Sequence, residues 1–192
     1  MIYQRPVIVP GADVVTTNHQ AYVSNRVLKF QVGFLLSEGK GHSSDSELDI
    51  PRLRVADDLL LDYLRGTLRF SRTSRGILVQ GNLHTSVRAT CIRCLEDTSA
   101  SLEVVLEEMF VYPPEPDADF NVAETGILDL APLLREEIIL DTPINILCRP
   151  DCAGLCPSCG ENLNKGLCEC QQERIDPRLA ALKALRDQAT ED

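Results

Sequence analysis

Apolar and polar residues alternate with a period of two over three stretches between residues 64 and 112, which predicts three neighbouring strands with one buried and one polar face. In LRGTLRFS, Leu64, Leu68 and Phe70 stand against Arg65, Thr67, Arg69 and Ser71. After the turn RTSRG, Ile77, Val79, Leu83 and Val87 stand against Gln80, Asn82, His84, Ser86 and Arg88. The pattern is read as slipping between Val79 and Leu83, so a bulge is expected near Gly81. In the third stretch Leu102, Val104, Leu106, Phe110 and Tyr112 alternate with Glu103, Val105 and Glu107. An antiparallel meander is the simplest assembly, with acids of the third strand near arginines of the first two.

Outside the meander the pattern is less regular. VLKFQVGFLL, residues 27–36, reads as a further strand, and the polar SEGKGHSSDSE after it as an exposed loop holding a solvated His42. The first 25 or so residues read as an irregular arm or a short edge element, and PPEPDAD as a loop. Residues 127–140 then change period. Leu130, Leu133, Leu134 and Ile138 share one side of a helix near 129–140, Asp129 is placed to cap it, Pro132 falls in the first turn and Pro143 ends it. Asp176 and Pro177 open a second helix with Leu179, Leu182 and Leu185 along one side.

A chain of 192 residues, 44% hydrophobic, can bury a core. It has no apolar run of membrane-spanning length and no secretory or transit-like N-terminus, so a soluble, cytoplasmic protein is expected. The net charge of −10 argues against a wholesale electrostatic grip on nucleic acid, but the charge is uneven. Residues 63–93 hold Arg65, Arg69, Arg72, Arg75, Arg88 and Arg93 and no acid, whereas residues 94–151 are strongly acidic. Arg65, Arg69, Arg72 and Arg88 have two readings: a basic strip for RNA phosphates, or partners for Glu103, Glu107 and other acids across the sheet. The acidic half suits a basic ribosomal protein equally well.

Eight cysteines are too sparse for a secreted disulfide scaffold, and their clustering suits metal ligation. LCPSCGENLNKGLCEC has the proline and glycine of a turn that lets two thiolates converge on one ion. Cys156, Cys159, Cys168 and Cys170 are the first expected site, closed around Zn²⁺ by four thiolates. Cys91 and Cys94 in TCIRCLE, with Cys148 and Cys152 in LCRPDCAG, are a possible second site. Spacing leaves another pairing open, in which Cys91 and Cys94 face Cys156 and Cys159. His19, His42 and His84 are scattered and no catalytic constellation emerges, so a binding protein rather than an enzyme is expected. The rivals are a zinc-stabilised protein-interaction adaptor without RNA contact and a thiol redox protein. A thioredoxin-like role would want one C-x-x-C opening a helix.

The order of motifs resembles a known family. A G-I-L-V-x-G meander leads to C-x-R-C-L-E, an acidic strand ending EEMF, and L-D-L-x-x-L-x-x-E-E-I-I-L-x-x-P. C-x-G-L-C-P-x-C-G-x-N-L-N, C-x-C and D-P-R-L-A-x-L follow. Together they are similar to the YceD-like family of large ribosomal RNA subunit accumulation proteins, over roughly residues 66–185. The resemblance implies a non-enzymatic ribosome-biogenesis accessory factor, partnered by large-subunit ribosomal RNA or a ribosomal protein, with no membrane and no small-molecule substrate. The expected fold is α+β: an antiparallel β-sheet core with a packed helix and a C-terminal cysteine-rich zinc-binding module. The expected division is a β-rich core over 1–147, the cysteine-rich module and C-terminal helix over 148–186, and a tail over 187–192.

Overall fold

A computed structural model describes residues 14–17, 20–166 and 168–170 of the chain. The elements in order are β1 (Val14–Thr17), β2 (Gln20–Val23), a 3-10 turn (Asn25–Leu28), β3 (Lys29–Gln31), α1 (Gly33–Ser37), β4 (Ser43–Ile50) and β5 (Leu53–Ala56). Then come β6 (Leu59–Arg72), β7 (Gly76–Thr90), β8 (Asp97–Val111), β9 (Ile127–Asp129) and α2 (Ala131–Asp141). The helix expected from Asp176 onward lies outside the described residues. Among the described residues no helix is long and apolar enough to cross a membrane.

The fold is α+β and its sheet is mostly antiparallel. β6, β7 and β8 form the expected meander, and the main path runs β1-β2-β5-β6-β7-β8 with a single parallel pairing, β2 to β5. β4 and β5 share one edge of β6: β4 pairs with its second half and β5 with its first. The break between them falls at Pro51, which has no N–H to give a ladder. Leu64, Leu68 and Phe70 of β6 face Ile77, Val79 and Leu83 of β7 and Leu102, Val104, Leu106 and Phe110 of β8 on one buried side. Their cover comes from Leu28, Phe30, Val32 and Leu35 and, from α2, Leu133, Leu134 and Ile138. Phe30 of the cover meets Phe70 of the sheet with ring centroids 5.0 Å apart. Burying one such side chain contributes roughly 1.5–3 kcal/mol, so the cover is held by many small gains. Arg135 on α2 adds a clamp through its guanidinium to Asp58 in the turn between β5 and β6.

Several expectations are corrected. Residues 27–36 are not one strand: only Lys29–Gln31 is extended, pairing with β9, and α1 follows at once. Those apolar residues cover the sheet rather than extend it. SEGKGHSSDSE is not a free loop, since Ser43–Ile50 is β4, an eight-residue strand on β6. Its outer positions Asp45, Glu47 and Asp49 look on solvent, and Ser44 and Ser46 turn the other way, so its first half has period two without hydrophobicity. Gly81 carries no bulge. Val79 and Leu83 are four apart and share a parity, and the ladders run through Gly81 without a shift on either side. The irregularity lies in β6 between Leu61 and Leu64, where Thr85 Oγ1 donates to the Tyr63 carbonyl at 2.6 Å. The helix starts at Ala131, not at residue 127, because residues 127–129 are taken by β9. The N-cap position falls on Leu130, which has no polar side chain to cap with, and Asp129 stands one residue before it, its Oδ1 accepting from Ala131 N at 3.1 Å.

Gly66 sets the closeness of β6 and β7. Its φ is +147°, and a Cβ there would lie 2.1 Å from the Asn82 carbonyl oxygen, so the two strands approach this tightly only with glycine.

Candidate metal centres

The tip of the β7–β8 hairpin, CIRCLE, and the later CPSCGE share one backbone design. Leu95 N donates to Cys91 O at 2.9 Å and Cys91 N to Glu96 O at 2.9 Å. In the second turn Gly160 N donates to Cys156 O at 2.9 Å and Cys156 N to Glu161 O at 2.8 Å. The residue after each second cysteine is left-handed, Gly160 at φ +77° and Leu95 at +57°. These turns bring the two sulfurs of each pair together while their N–H groups point inward at the first sulfur.

Each turn meets a second cysteine pair. The sulfurs of Cys91, Cys94, Cys148 and Cys152 all lie within 4.8 Å of one another, as do those of Cys156, Cys159, Cys168 and Cys170. Either tetrad is close enough to hold one metal ion. The pairing that joined Cys91 and Cys94 to Cys156 and Cys159 is not adopted. The reason is local: Ile92 N donates to Ile146 O at 3.0 Å and Arg93 Nη1 to Cys152 O at 2.9 Å. Those bonds dock the hairpin tip on the segment that carries Cys148 and Cys152. Leu155 N also donates to Arg93 O at 3.0 Å, and Leu147 and Leu155 pack beside Cys91, Cys94 and Cys152.

The first tetrad is the drier. Cys91, Cys94 and Cys152 are buried and only Cys148 is exposed, whereas in the second tetrad only Cys156 is buried. In both, the leading thiol is ready to ionise, and in the first tetrad Cys152 is lowered too, its loss of water outweighed by bonds from the Asn164 side chain, the Gly154 N–H and neighbouring thiols. The N–H of Cys94, with those of Cys148 and Arg93, holds the Cys91 thiol down at about 6 despite burial. The N–H groups of Cys159 and Ser158 hold Cys156 down at about 6. Others resist: loss of water and the neighbouring Cys94 and Cys152 push Cys148 up to about 12. The neighbouring Cys159, together with loss of water, does the same to Cys170. Thiolates this close repel one another, and a cation among them removes the penalty.

The first tetrad also has an outer shell. Asn164 Nδ2 donates to Cys152 Sγ at 3.3 Å, and Lys165 Nζ lies 2.6 Å from Glu96 Oε1. Neither Asn164 nor Lys165 is among the site residues expected from the sequence. The signal available was the pair of asparagines in GENLNKG, a residue type that turns its side chain back on nearby backbone.

The arginines lie on or beside the open outer face of the sheet. Arg65 Nε donates to Asp49 Oδ1 at 2.7 Å, Arg69 Nε is 3.5 Å from Asp45 Oδ1, and Arg88 Nε is 3.7 Å from Asp62 Oδ1. Arg72 Nη1 donates to Gly76 O at 3.0 Å. The aspartates come from β4 and β6, not from β8 as expected. Glu103 and Glu107 stand one strand too far, with β7 between them and β6, and Glu107 takes a bond from Gln80 at 3.3 Å. His84 lies between Arg65 and Glu103 in register, and His42 Nδ1 is 2.8 Å from Gly39 O.

Comparison with known proteins places this architecture. Residues 79–186 match the family described as "Large ribosomal RNA subunit accumulation protein YceD". A protein of Mycobacterium tuberculosis named only as uncharacterized is 33% identical over 145 residues, 72% of this chain and 68% of its own length. The Bacillus subtilis protein YlbN, also named as uncharacterized, is 31% identical over 105 residues, 53% of this chain and 61% of its own. The Arabidopsis thaliana "Large ribosomal RNA subunit accumulation protein YCED homolog 1, chloroplastic" is 27% identical over 173 residues, 71% of this chain and 54% of its own. No solved structure matches. The matched span takes in nearly all of the hairpin, its cysteine tip and all the remaining cysteines, and on that footing the chain belongs to the YceD family.

Proposed function

We propose that this protein is a non-enzymatic accessory factor of ribosome biogenesis that supports accumulation of large-subunit ribosomal RNA, its shape held by two structural Zn²⁺ ions. The observation that carries the metal is the spacing of the sulfurs. Cys91 and Cys152 are 3.8 Å apart and Cys94 and Cys148 3.6 Å. A tetrahedral zinc with Zn–S near 2.3 Å has a sulfur–sulfur edge of ~3.8 Å. The donor set, four thiols with backbone N–H groups on the leading sulfur, suits a closed structural site. Cys91, Cys94, Cys148 and Cys152 would hold one ion and Cys156, Cys159, Cys168 and Cys170 the other. Bound there, zinc supplies folding energy rather than reactivity. On this reading the segment that carries Cys148 to Cys170 is a module stapled to the sheet through the hairpin tip. The ribosomal role is supported by the family description and by the name of the Arabidopsis homolog.

The partner is large-subunit RNA or a ribosomal protein. The arginine strip of Arg65, Arg69, Arg72 and Arg88 is the RNA reading. A basic protein partner is the second reading, favoured by the net charge of −10 and by aspartates already beside Arg65, Arg69 and Arg88. Phosphates would have to displace those aspartates. Affinity purification of the protein from cells, with and without nuclease, separates the two. Large-subunit RNA lost on nuclease treatment together with every protein partner supports the strip, and a basic ribosomal protein retained after nuclease supports the second reading. Depletion that leaves the large-subunit RNA level unchanged rejects the function itself. Bound zinc measured at zero, with eight freely reactive thiols, rejects the metal. Disulfide turnover that disappears in Cys156→Ser would instead identify a thiol redox protein.

A further inference from the structure

The loop of residues 160–166 belongs in sequence to the second tetrad, with Cys159 before it and Cys168 after it, yet its polar side chains serve the first. Asn164 Oδ1 accepts from Ala153 N at 2.8 Å and from Arg149 Nη2 at 2.7 Å. Both partners can only donate, so the amide oxygen is fixed there and the Nδ2 group must turn the other way. It donates to Cys152 Sγ at 3.3 Å and to Asn162 Oδ1 at 2.8 Å. Asn162 Oδ1 also takes Asn164 N at 3.0 Å, and Leu163 N donates to Gly154 O at 2.9 Å, so the loop backbone is pinned beside Cys152. Next along the loop, Lys165 pairs with Glu96, whose other oxygen lies 3.9 Å from Cys94 Sγ. Without the ammonium, that carboxylate would stand unneutralised beside a thiolate.

We infer that the two metal sites are coupled through this loop, with Asn164 as a positioning residue for the first site although it is carried between ligands of the second. The inference rests on the two-metal reading above. Four thiolates around a divalent cation leave excess negative charge, and the first tetrad is largely shut from water, so a fixed N–H on one sulfur counts for more there than at an open site. Metal in the second site ties Cys159 to Cys168 and so fixes both ends of the loop that presents Asn164 and Lys165. The first site then meets an outer shell already in place. Binding linkage is reciprocal: filling the first site tightens the second by the same factor.

The test loads the full-length protein with ¹¹³Cd²⁺, whose nuclear resonance reports each thiolate site separately, and competes the metal off with a chelator. Variants lacking one pair of ligands assign the resonances. Asn164→Asp keeps the acceptor for Ala153 and Arg149 and loses the donor to Cys152. It should shift the first-site resonance and lower first-site affinity by roughly ten- to a hundredfold. Removing the second site by Cys168→Ser with Cys170→Ser should lower first-site affinity by about fivefold or more when Asn164 is present, and by far less in the Asn164→Asp background. Lys165→Gln, a surface change that leaves both cysteine sets and Asn164 in place, should weaken the first site by a smaller factor and guards against misfolding of the other variants. First-site affinity unchanged in Asn164→Asp, or losses that simply multiply in the combined variant, overturns the coupling while leaving both metals in place. Wild-type protein that binds no cadmium overturns the coupling and the metal reading together.

Discussion

The two cysteine turns differ in what surrounds the same backbone design. CIRCLE and CPSCGE close with matching hydrogen bonds, and each holds its leading thiol near 6 chiefly by N–H groups from its own turn, with the Cys148 N–H of the docked segment adding to the first. The first is the tip of a hairpin with two fifteen-residue arms, docked on another segment and shielded from water. The second sits in a short turn-rich segment with three of its four cysteines at least partly open. Four thiols at ion distance establish what each cluster can bind. Burial and outer-shell contacts decide how tightly, and how much of the fold depends on it.

The sharpest way to break this comparison is to remove one ligand from each cluster. Cys94→Ser should cost more than about 4 kcal/mol, the range reached when a structural metal is lost, and Cys168→Ser about half as much or less. Urea unfolding followed by the circular dichroism of the sheet checks this, and equal losses would erase the distinction. Next, on the two-zinc proposal, a chelator should strip the second ion roughly tenfold faster than the first, read as two phases of zinc release with the fast phase absent in Cys168→Ser. Exchanging the residues at the left-handed position is a finer probe. Gly160→Leu meets open space but imposes a left-handed leucine, at about 1–2 kcal/mol. Leu95→Gly should fall within about 0.5 kcal/mol of wild type, because relief of the same strain is offset by the greater freedom of glycine in the unfolded chain.

The smallest expected effect belongs to the sheet side alone. The Arg135 guanidinium holds the Asp58 carboxyl below its usual 3.8. A depressed acid contributes stability that is present above the unfolded value and lost as pH falls through the folded one. Asp58→Asn should therefore remove a small increment at neutral pH and flatten the loss of stability below about pH 4. Metal release on acidification should be unchanged by it, since that follows protonation of sulfur.

The meander was legible because a one-sided antiparallel sheet writes its burial as alternation, and Leu64 to Phe110 follow it. β4 was not, because its outer face is Asp45, Glu47 and Asp49 and half of its inner face is serine. That omission also hid the aspartates beside Arg65 and Arg69, and so sent the search for partners to Glu103 and Glu107. The helix start was misjudged because Ile127 to Asp129 fit either period until β3 is known to lie alongside. The cysteine types and counts were readable from spacing. Their grouping depended on Arg93 and Ile92 bonding to the segment around Cys148 and Cys152, a contact between residues more than fifty apart in sequence.

Cys94 and Cys148 are 54 positions apart in the chain, and β8 and α2 lie between them. An ion shared by the two would act on the unfolded polypeptide as a covalent bridge does, shrinking the conformations open to everything it encloses. For a ring of that size the chain-entropy relation gives about 4 kcal/mol. The edge strand of the sheet and the helix that caps its core would thus owe part of their persistence to sulfur atoms that belong to neither.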